Sequence, residues 1–321
     1  MRFFFRVDAS FLIGTGHVMR CLTLADALRK QGANCYFVCR AHIGNLLNLI
    51  QQRGYQTYSL PVLKDQSHHD KSLHESTLST HSSWLGTDLE TDANQTLTAI
   101  GERYINWLIV DHYALDIRWE KKIRHMCCRL MVIDDLANRP HDCDLLLDQN
   151  LGRSASDYTN LVSPSCELLI GPQYALLRPE FSALRSYSIN RRTNLEFKHL
   201  LITMGGIDKD NATNKVLNAL RNCILPADLK ITVVIGQYAP WLEEVKITAA
   251  KMPWSTEVLV NVQNMAKLMA DSDLAIGAAG STSWERNSLG LPTLIIALAE
   301  NQKAIAKALN VAGAAIEINY T

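Results

Sequence analysis

Eight short apolar runs punctuate the chain: FFFRV near residue 5, CYFVC near 37, WLIVD near 109, RLMVID near 132, HLLITM near 201, ITVVI near 233, DLAIGA near 275 and PTLIIAL near 295. Each is too short for a helix and almost continuously apolar, as a strand buried on both faces must be. Stretches of helical period lie between most of them. The segment HVMRCLTLADALRKQG from His17 is one, and it ends in a glycine suited to stop a helix. Strand and helix in alternation predict βαβ units and parallel sheets. The alternation lapses over residues 172–197, where the sequence turns polar and basic, and HLLITMGGID then restarts it. The lapse reads as a linker between two Rossmann-like halves, with a boundary near residue 190. Residues 64–92 are rich in serine, threonine and histidine and read as a long surface excursion of the first half. Their histidines 68, 69, 74 and 81 match no recurring metal-ligand spacing, so a solvated loop is the favoured reading.

Composition narrows the class. A chain of 321 residues with 47% hydrophobic content is expected to build two cores. Lysine plus arginine equal aspartate plus glutamate at 32 each, which argues against a broad cationic face for nucleic acid or anionic lipid and leaves a small molecule as the expected partner. The eight cysteines form no CxxC pair and lie mostly in apolar stretches, as buried thiols of a reducing compartment do. MRFFFRVD is too short and too charged for a signal peptide, and no uncharged apolar stretch is long enough to span a bilayer. The expected location is the cytoplasm, and a monomer is the favoured state.

Chemistry concentrates where strands end. Asp8-Ala-Ser-Phe-Leu-Ile-Gly14-Thr-Gly16-His17-Val-Met-Arg20 is a glycine-rich turn between the first strand and the first helix, where free backbone N–H groups favour an anion. Met19 stands where the dinucleotide fingerprint needs its third glycine, which disfavours an NAD enzyme. His17 is placed to accept a proton from water, or simply to pack at the helix start. Asp111-His112-Tyr113 ends another strand and can orient a catalytic group, hold a sugar hydroxyl or cap a helix. Asp134 and Asp135, ahead of Asn138 and Arg139, suit acid–base or metal work, and equally turn chemistry. In the second half, Gly205-Gly206-Ile-Asp208-Lys-Asp-Asn211 and Gly280-Ser281-Thr282-Ser283-Trp-Glu285 are strand–glycine turn–helix segments fit for a diphosphate, with Glu285 suited to a ribose. One of the three hydroxyls is accounted for by an N-cap. Asn301 and Gln302 follow the last of the apolar runs.

Read in order, IGTGHVMRC, VDHYALD, VIDDLANRPHDCDLLLDQN, GPQYALLRPEF, MGGIDKDN, IGAAGSTSWERNSLGLP and AENQ resemble the hydrolases that release UDP from UDP-2,4-diacetamido-2,4,6-trideoxy-β-L-altropyranose in pseudaminic acid biosynthesis, which belong with the glycosyltransferase-B-like proteins. The likeness runs from Asp8 to Gln302. It implies two Rossmann-like domains facing across a cleft, residues 1–190 with the catalytic histidine and sugar site and residues 191–321 holding UDP. It further implies His17 as general base with Tyr113 assisting. By the same likeness the diglycine turn, the STSWE segment with Glu285, and Asn301 contact UDP or the reacting end. The substrate-binding set taken together is Asp8, Gly14, Gly16, Arg20, Gly205, Gly206, Asp208, Asn211, Gly280, Ser281, Thr282, Ser283, Glu285, Asn301 and Gln302. Neither cofactor nor metal is implied, the partner is the UDP-sugar itself, and the pathway supplies flagellin glycosylation. The chain stops at Thr321 soon after AAIEI, where many members continue with a further helical stretch.

The expected reaction is attack of water on the anomeric carbon with C–O cleavage, inversion and loss of UDP, without a metal. A glycosyltransferase using a UDP-amino sugar donor is the alternative. A protein that binds nucleotide-sugar or serves flagellar assembly without turnover is a third reading, disfavoured by the intact GxGH turn.

Overall fold

The computed structural model describes residues 1–62, 81–193 and 196–318. The chain divides into two compact units, Met1–Leu176 and Leu177–Thr321. In the first, strands β1 (Arg2–Val7), β2 (Asn34–Arg40), β3 (Gln56–Leu60), β4 (Ile105–Asp111), β5 (Cys127–Ile133), β6 (Leu145–Asp148) and β7 (Glu167–Ile170) form one sheet in the order β3-β2-β1-β4-β5-β6-β7. All its neighbours are parallel. Helices α1 (Gly16–Lys30), α2 (Leu47–Gln52), α3 (Leu89–Ile100) and α4 (Ile117–Ile123) make crossovers.

The two-residue period of the strands sorts their side chains onto two faces. Phe4, Val38, Leu108, Val110, Leu130 and Val132 join one core. Phe5, Phe37, Ile109, Met131 and Ile133 join the other, with Phe5 stacked on Phe37 at 4.8 Å between ring centroids. Both faces being buried explains why these strands read as continuous apolar runs.

The second unit repeats the plan. Strands β8 (His199–Thr203), β9 (Lys230–Ile235), β10 (Ser255–Val260), β11 (Leu274–Ala278), β12 (Thr293–Ile296) and β13 (Ile316–Glu317) lie in the order β10-β9-β8-β11-β12-β13, again parallel. Its helices are α5 (Pro179–Arg191), α6 (Ala212–Leu220), α7 (Leu242–Ala250), α8 (Met265–Asp271), α9 (Thr282–Ser288) and α10 (Glu300–Val311). Both units are therefore Rossmann-like, and their order reverses beside β1 and β8, where such sheets open a ligand crevice at the carboxyl ends of the strands. The AAIEI stretch contributes the edge strand β13.

Three features depart from the sequence reading. The division falls at Leu176–Leu177 rather than near residue 190, because the supposed linker contains α5. Phe181 of α5 enters a core with Leu201, Met265 and Leu289, Ser188 Oγ donates to Leu289 O at 2.7 Å, and Arg192 donates to Ser272 O at 2.7 Å. Only Phe181 and Ser188 of that helix are buried, so its period is faint. Secondly, β3, β6, β7 and β10 carry no long apolar run, being short or, like β10, half-exposed. Thirdly, the stretch read as a surface excursion ends in the core: Leu85 is buried and Asp92 fully so. The cysteines are mixed too, since Cys128 and Cys223 are exposed.

Asp92 ties the first unit together. Arg6 Nη2 and Arg40 Nη2 both donate to Asp92 Oδ2 at 2.6 Å, and the Trp119 indole N–H donates to Oδ1 at 2.9 Å, all at buried positions. Removing one member of such a group strands the others without compensation. Asp92→Ala should lose about 3–5 kcal/mol of unfolding free energy in urea denaturation; a loss below about 1 kcal/mol would show that the network carries little of the stability.

Candidate functional site

The first turn of α1 is placed by a tight loop. Ser10 Oγ accepts from the N–H groups of Leu12 and Ile13 at 3.1 and 2.9 Å, and Gly14 N–H donates to Ser10 O at 2.8 Å. Gly14 sits at φ +81°, where a side chain would strain the backbone. Thr15 makes no side-chain cap, and α1 begins at Gly16, which sets His17 at the carboxyl end of β1.

From the neighbouring β4, Asp111 reaches the same point. It is fully buried, and its Oδ1 lies 2.6 Å from His17 Nδ1. Arg20, one turn along α1 from His17, donates through Nε to Asp111 Oδ2 and through Nη2 to Oδ1, both at 2.6 Å, and Cys21 Sγ adds a donor at 3.5 Å. Burial works to raise the Asp111 carboxyl, but Arg20 and His17 hold it far below the usual range. An ionised carboxylate can only accept, so in the neutral imidazole the proton stands on His17 Nδ1 and Nε2 carries the lone pair. That is the tautomer a general base needs. Asp111, one of three residues in VDHY with open roles, thus orients the histidine rather than capping a helix; Asp116 caps α4.

Tyr113 packs edge-on against His17 at 4.6 Å between centroids and is buried. Trp84 stacks on Tyr113 at 5.4 Å, and His81 meets both rings, at 4.5 Å from Trp84 and 5.0 Å from Tyr113. Arg20 Nη1 also donates to Asp135 Oδ2 at 2.8 Å, linking Asp135 to Asp111. Asp134 is turned inward: Arg139 Nη1 donates to it at 2.7 Å and Ala137 N–H at 2.9 Å, which is turn chemistry. Asp8 has no exposed surface. It accepts from Arg6 Nη1 and from Arg40 N–H, each at 2.6 Å, with His112 Nε2 at 3.3 Å and His42 Nε2 at 3.7 Å. Read as a ligand contact in the sequence, it lies instead behind the turn as a structural carboxylate.

In the second unit, the diglycine turn follows β8, with Gly205 at φ +91°. A Cβ at Gly236 would run into the carbonyl oxygen of Gly206, so the two turns approach to glycine distance. Asp208 caps its own helix, accepting from Ala212 N–H at 2.8 Å and Thr213 N–H at 2.9 Å, and Asn211 donates to Glu244 at 3.1 Å. Both were expected to face a ligand; the Asp208 side chain serves the start of α6, and that of Asn211 reaches across to α7. After β11, none of the three hydroxyls supplies the N-cap. Ser281 makes no cap bond, while Thr282 Oγ1 and Ser283 Oγ accept from the buried Arg286 at 3.1 and 3.2 Å. Burial lowers Arg286 to about 10, and burial raises the Glu285 carboxyl against the pull of Arg178, 3.5 Å away. Gln302 Oε1 accepts from Leu298 N–H at 2.9 Å and its amide nitrogen lies 3.9 Å from where a side chain at Gly280 would begin, so AENQ and the STS turn adjoin. Asn301 is half-buried in the same turn of α10.

The first unit thus gathers His17, Arg20, Asp111, Tyr113 and Asp135; the second gathers Gly280, Ser281, Thr282, Ser283 and Gln302. Trp84 was missed, and His81 was read only as part of a solvated loop. A tryptophan in a serine-rich stretch, HSSWL, is the signal that sequence offers. Histidines 68, 69 and 74 lie outside the described residues.

Residues 199–321 match the glycosyltransferase family 28 C-terminal domain. Over all 321 residues the chain is 29% identical to the UDP-2,4-diacetamido-2,4,6-trideoxy-beta-L-altropyranose hydrolase of Campylobacter jejuni subsp. jejuni serotype O:2, covering 100% of both. The resemblance read from the motifs therefore extends over the whole chain. In fold, it is similar to MurG of Acinetobacter baumannii, with a TM-score of 0.65 at 16% identity over 99% of this chain and 85% of that one. It is similar also to the UDP-GlcNAc 2-epimerase of Neisseria meningitidis solved with UDP-GlcNAc, with a TM-score of 0.54 at 10% identity over 98% and 87%. The fold is glycosyltransferase-B-like.

One carboxyl beside the site has an unusual titration. Burial raises Asp148 to about 7, although Asn150 N–H and the Tyr158 hydroxyl donate to it, each at 2.9 Å. Its ordinary value is 3.8, so between the two the folded protein holds a proton that the unfolded chain has lost. The stability from this group is therefore complete below pH 3.8, falls as pH rises and is gone above about 7. Asp148→Asn should remove that dependence: relative to the variant, the wild-type melting temperature should drop between pH 5 and pH 8. Parallel curves for the two proteins would contradict the assignment.

Proposed function

We propose that this chain hydrolyses UDP-2,4-diacetamido-2,4,6-trideoxy-β-L-altropyranose to UDP and the free sugar, a step of pseudaminic acid biosynthesis. The observation that carries the reading is the 2.6 Å contact between His17 Nδ1 and the buried Asp111, which leaves Nε2 free to take a proton at the carboxyl ends of β1 and β4. The full-length likeness to the Campylobacter hydrolase supplies the substrate.

In this reading water attacks the anomeric carbon while His17 Nε2 removes its proton, and the anomeric C–O bond breaks with its electron pair passing to the diphosphate. Attack opposite the leaving group inverts the anomer. Arg20 and Asp111 position the imidazole, and the Asp111 carboxylate stabilises the imidazolium that forms. Tyr113, in edge contact with His17, assists at the sugar. Backbone amides of the turns at Gly205-Gly206 and Gly280–Thr282 receive the diphosphate, Glu285 the ribose, and Asn301 and Gln302 the reacting end. UDP is a good leaving group, so placing water and meeting the charge that develops on phosphate is the greater part of the work. No metal is needed for that, and EDTA should leave turnover unchanged.

A second reading, transfer of the sugar to an acceptor other than water, is favoured by the family 28 match over residues 199–321. The two separate when UDP-sugar is incubated with the protein alone. Hydrolysis releases UDP and free sugar without an acceptor, whereas a transferase releases little. His17→Asn should lower kcat by about 10²–10⁴-fold with UDP affinity by calorimetry unchanged. A variant that keeps its kcat would remove His17 from the chemistry.

A further inference from the structure

We infer that Trp84, with His81 and Tyr113, forms an aromatic wall beside His17 that selects sugars with a deoxygenated, N-acylated edge over fully hydroxylated hexoses. The inference rests on the UDP-sugar hydrolase reading and adds to it the part of the first unit that recognises the sugar.

Trp84, His81, Tyr113 and His17 belong to neither hydrophobic core of the first unit. They form a separate ring cluster at the strand ends: Trp84 lies nearly parallel to Tyr113, interplanar angle 25°, and both stand edge-on to His17, at 6.4 and 4.6 Å. Tyr113 is almost fully covered, whereas Trp84 is half-buried. The turn that bears Trp84, Ser82–Leu85, is pinned at its far end. Leu85 enters the core, and Gly86 at φ +67° packs so close to His42 that a side chain there would meet Cε1 at 2.7 Å. A wall held this way is formed before substrate arrives.

The wall is uncharged at neutral pH, since burial, Arg139, His17 and His112 all hold the His81 imidazole below its ordinary value. Its polar counterpart is Asp135, whose Oδ2 takes Arg20 while Oδ1, buried, has no hydrogen-bond partner among the described residues. Ring faces beside a spare acceptor suit methyl groups and an amide N–H. A hydroxyl-rich edge would lie against ring faces, which do not replace the hydrogen bonds it gives up to water, at a cost in affinity.

The test is steady-state kinetics of the full chain and of Trp84→Ala and Trp84→Phe on two substrates, UDP-2,4-diacetamido-2,4,6-trideoxy-β-L-altrose and UDP-glucose. Trp84→Ala should raise KM for the first about tenfold, change kcat less, and narrow the preference over the second; Trp84→Phe should retain most of it. An unchanged KM and preference in Trp84→Ala would overturn the wall, as would equal loss of kcat alone in both variants, which marks support of His17 instead. If the wild type releases UDP from neither sugar, the hydrolase reading fails and the wall is judged by fluorescence. Quenching by UDP-sugar beyond that by UDP, lost in Trp84→Phe, upholds the wall; no such excess, or its persistence in the variant, overturns it.

Discussion

A fully buried carboxylate at the end of β4 organises the first unit's chemistry. Asp111 accepts two hydrogen bonds from Arg20 and one from His17, all at 2.6 Å. Taking a carboxylate and a guanidinium out of water is costly, and bidentate geometry with every lone pair engaged is what offsets it. Asp111 cannot give up its charge easily in that setting, and so it fixes the proton of His17 on the inner nitrogen. The same guanidinium extends to Asp135, so the orientation of the imidazole and the placement of a spare acceptor nearby are settled by one side chain.

Topology makes this possible twice over. Each sheet starts in the middle and grows outward in both directions, so the loops after β1 and β4, and after β8 and β11, leave the sheet toward opposite faces and part company. Glycines occupy those partings for separate reasons. Gly14 and Gly205 adopt positive φ, while Gly236 allows the backbone at Gly206 to come near. The two units have nevertheless been specialised differently. The first fills its parting with ionisable and aromatic side chains, the second with hydroxyls and bare backbone. In the proposed reading, those two kinds of surface serve acid–base work and anion binding.

Most of the central strands were legible in the sequence, because burial on both faces forces continuous apolar runs. The edge strands β3 and β10, and the four-residue β6 and β7, were not, since half-exposure or brevity erases the pattern. Helix α5 passed for linker because it buries two side chains only. At the strand ends the structure brings His17 and Asp111 within hydrogen-bond distance and sets the STS turn beside Gln302. Asp8 and Asp208 instead take up backbone N–H groups and a buried arginine, and Asn211 donates to the carboxylate of Glu244. Sequence alone does not show which way a carboxylate at a turn points, because capping and ligand binding favour the same residue types.

Trp84 illustrates the opposite failure. Its surroundings, serine- and histidine-rich, resemble a solvated loop, and composition averaged over the stretch hides a single indole. Physical reasoning recovers it only once Leu85 and Asp92 are seen to be core. Asp92 holds Arg6 and Arg40, and Arg6 in turn holds Asp8, on which His42 and His112 converge. His42 abuts Gly86. A chain of buried polar contacts thus runs from Asp92 in the core through Arg6, Asp8 and His42 to Gly86, next to the turn that carries the indole.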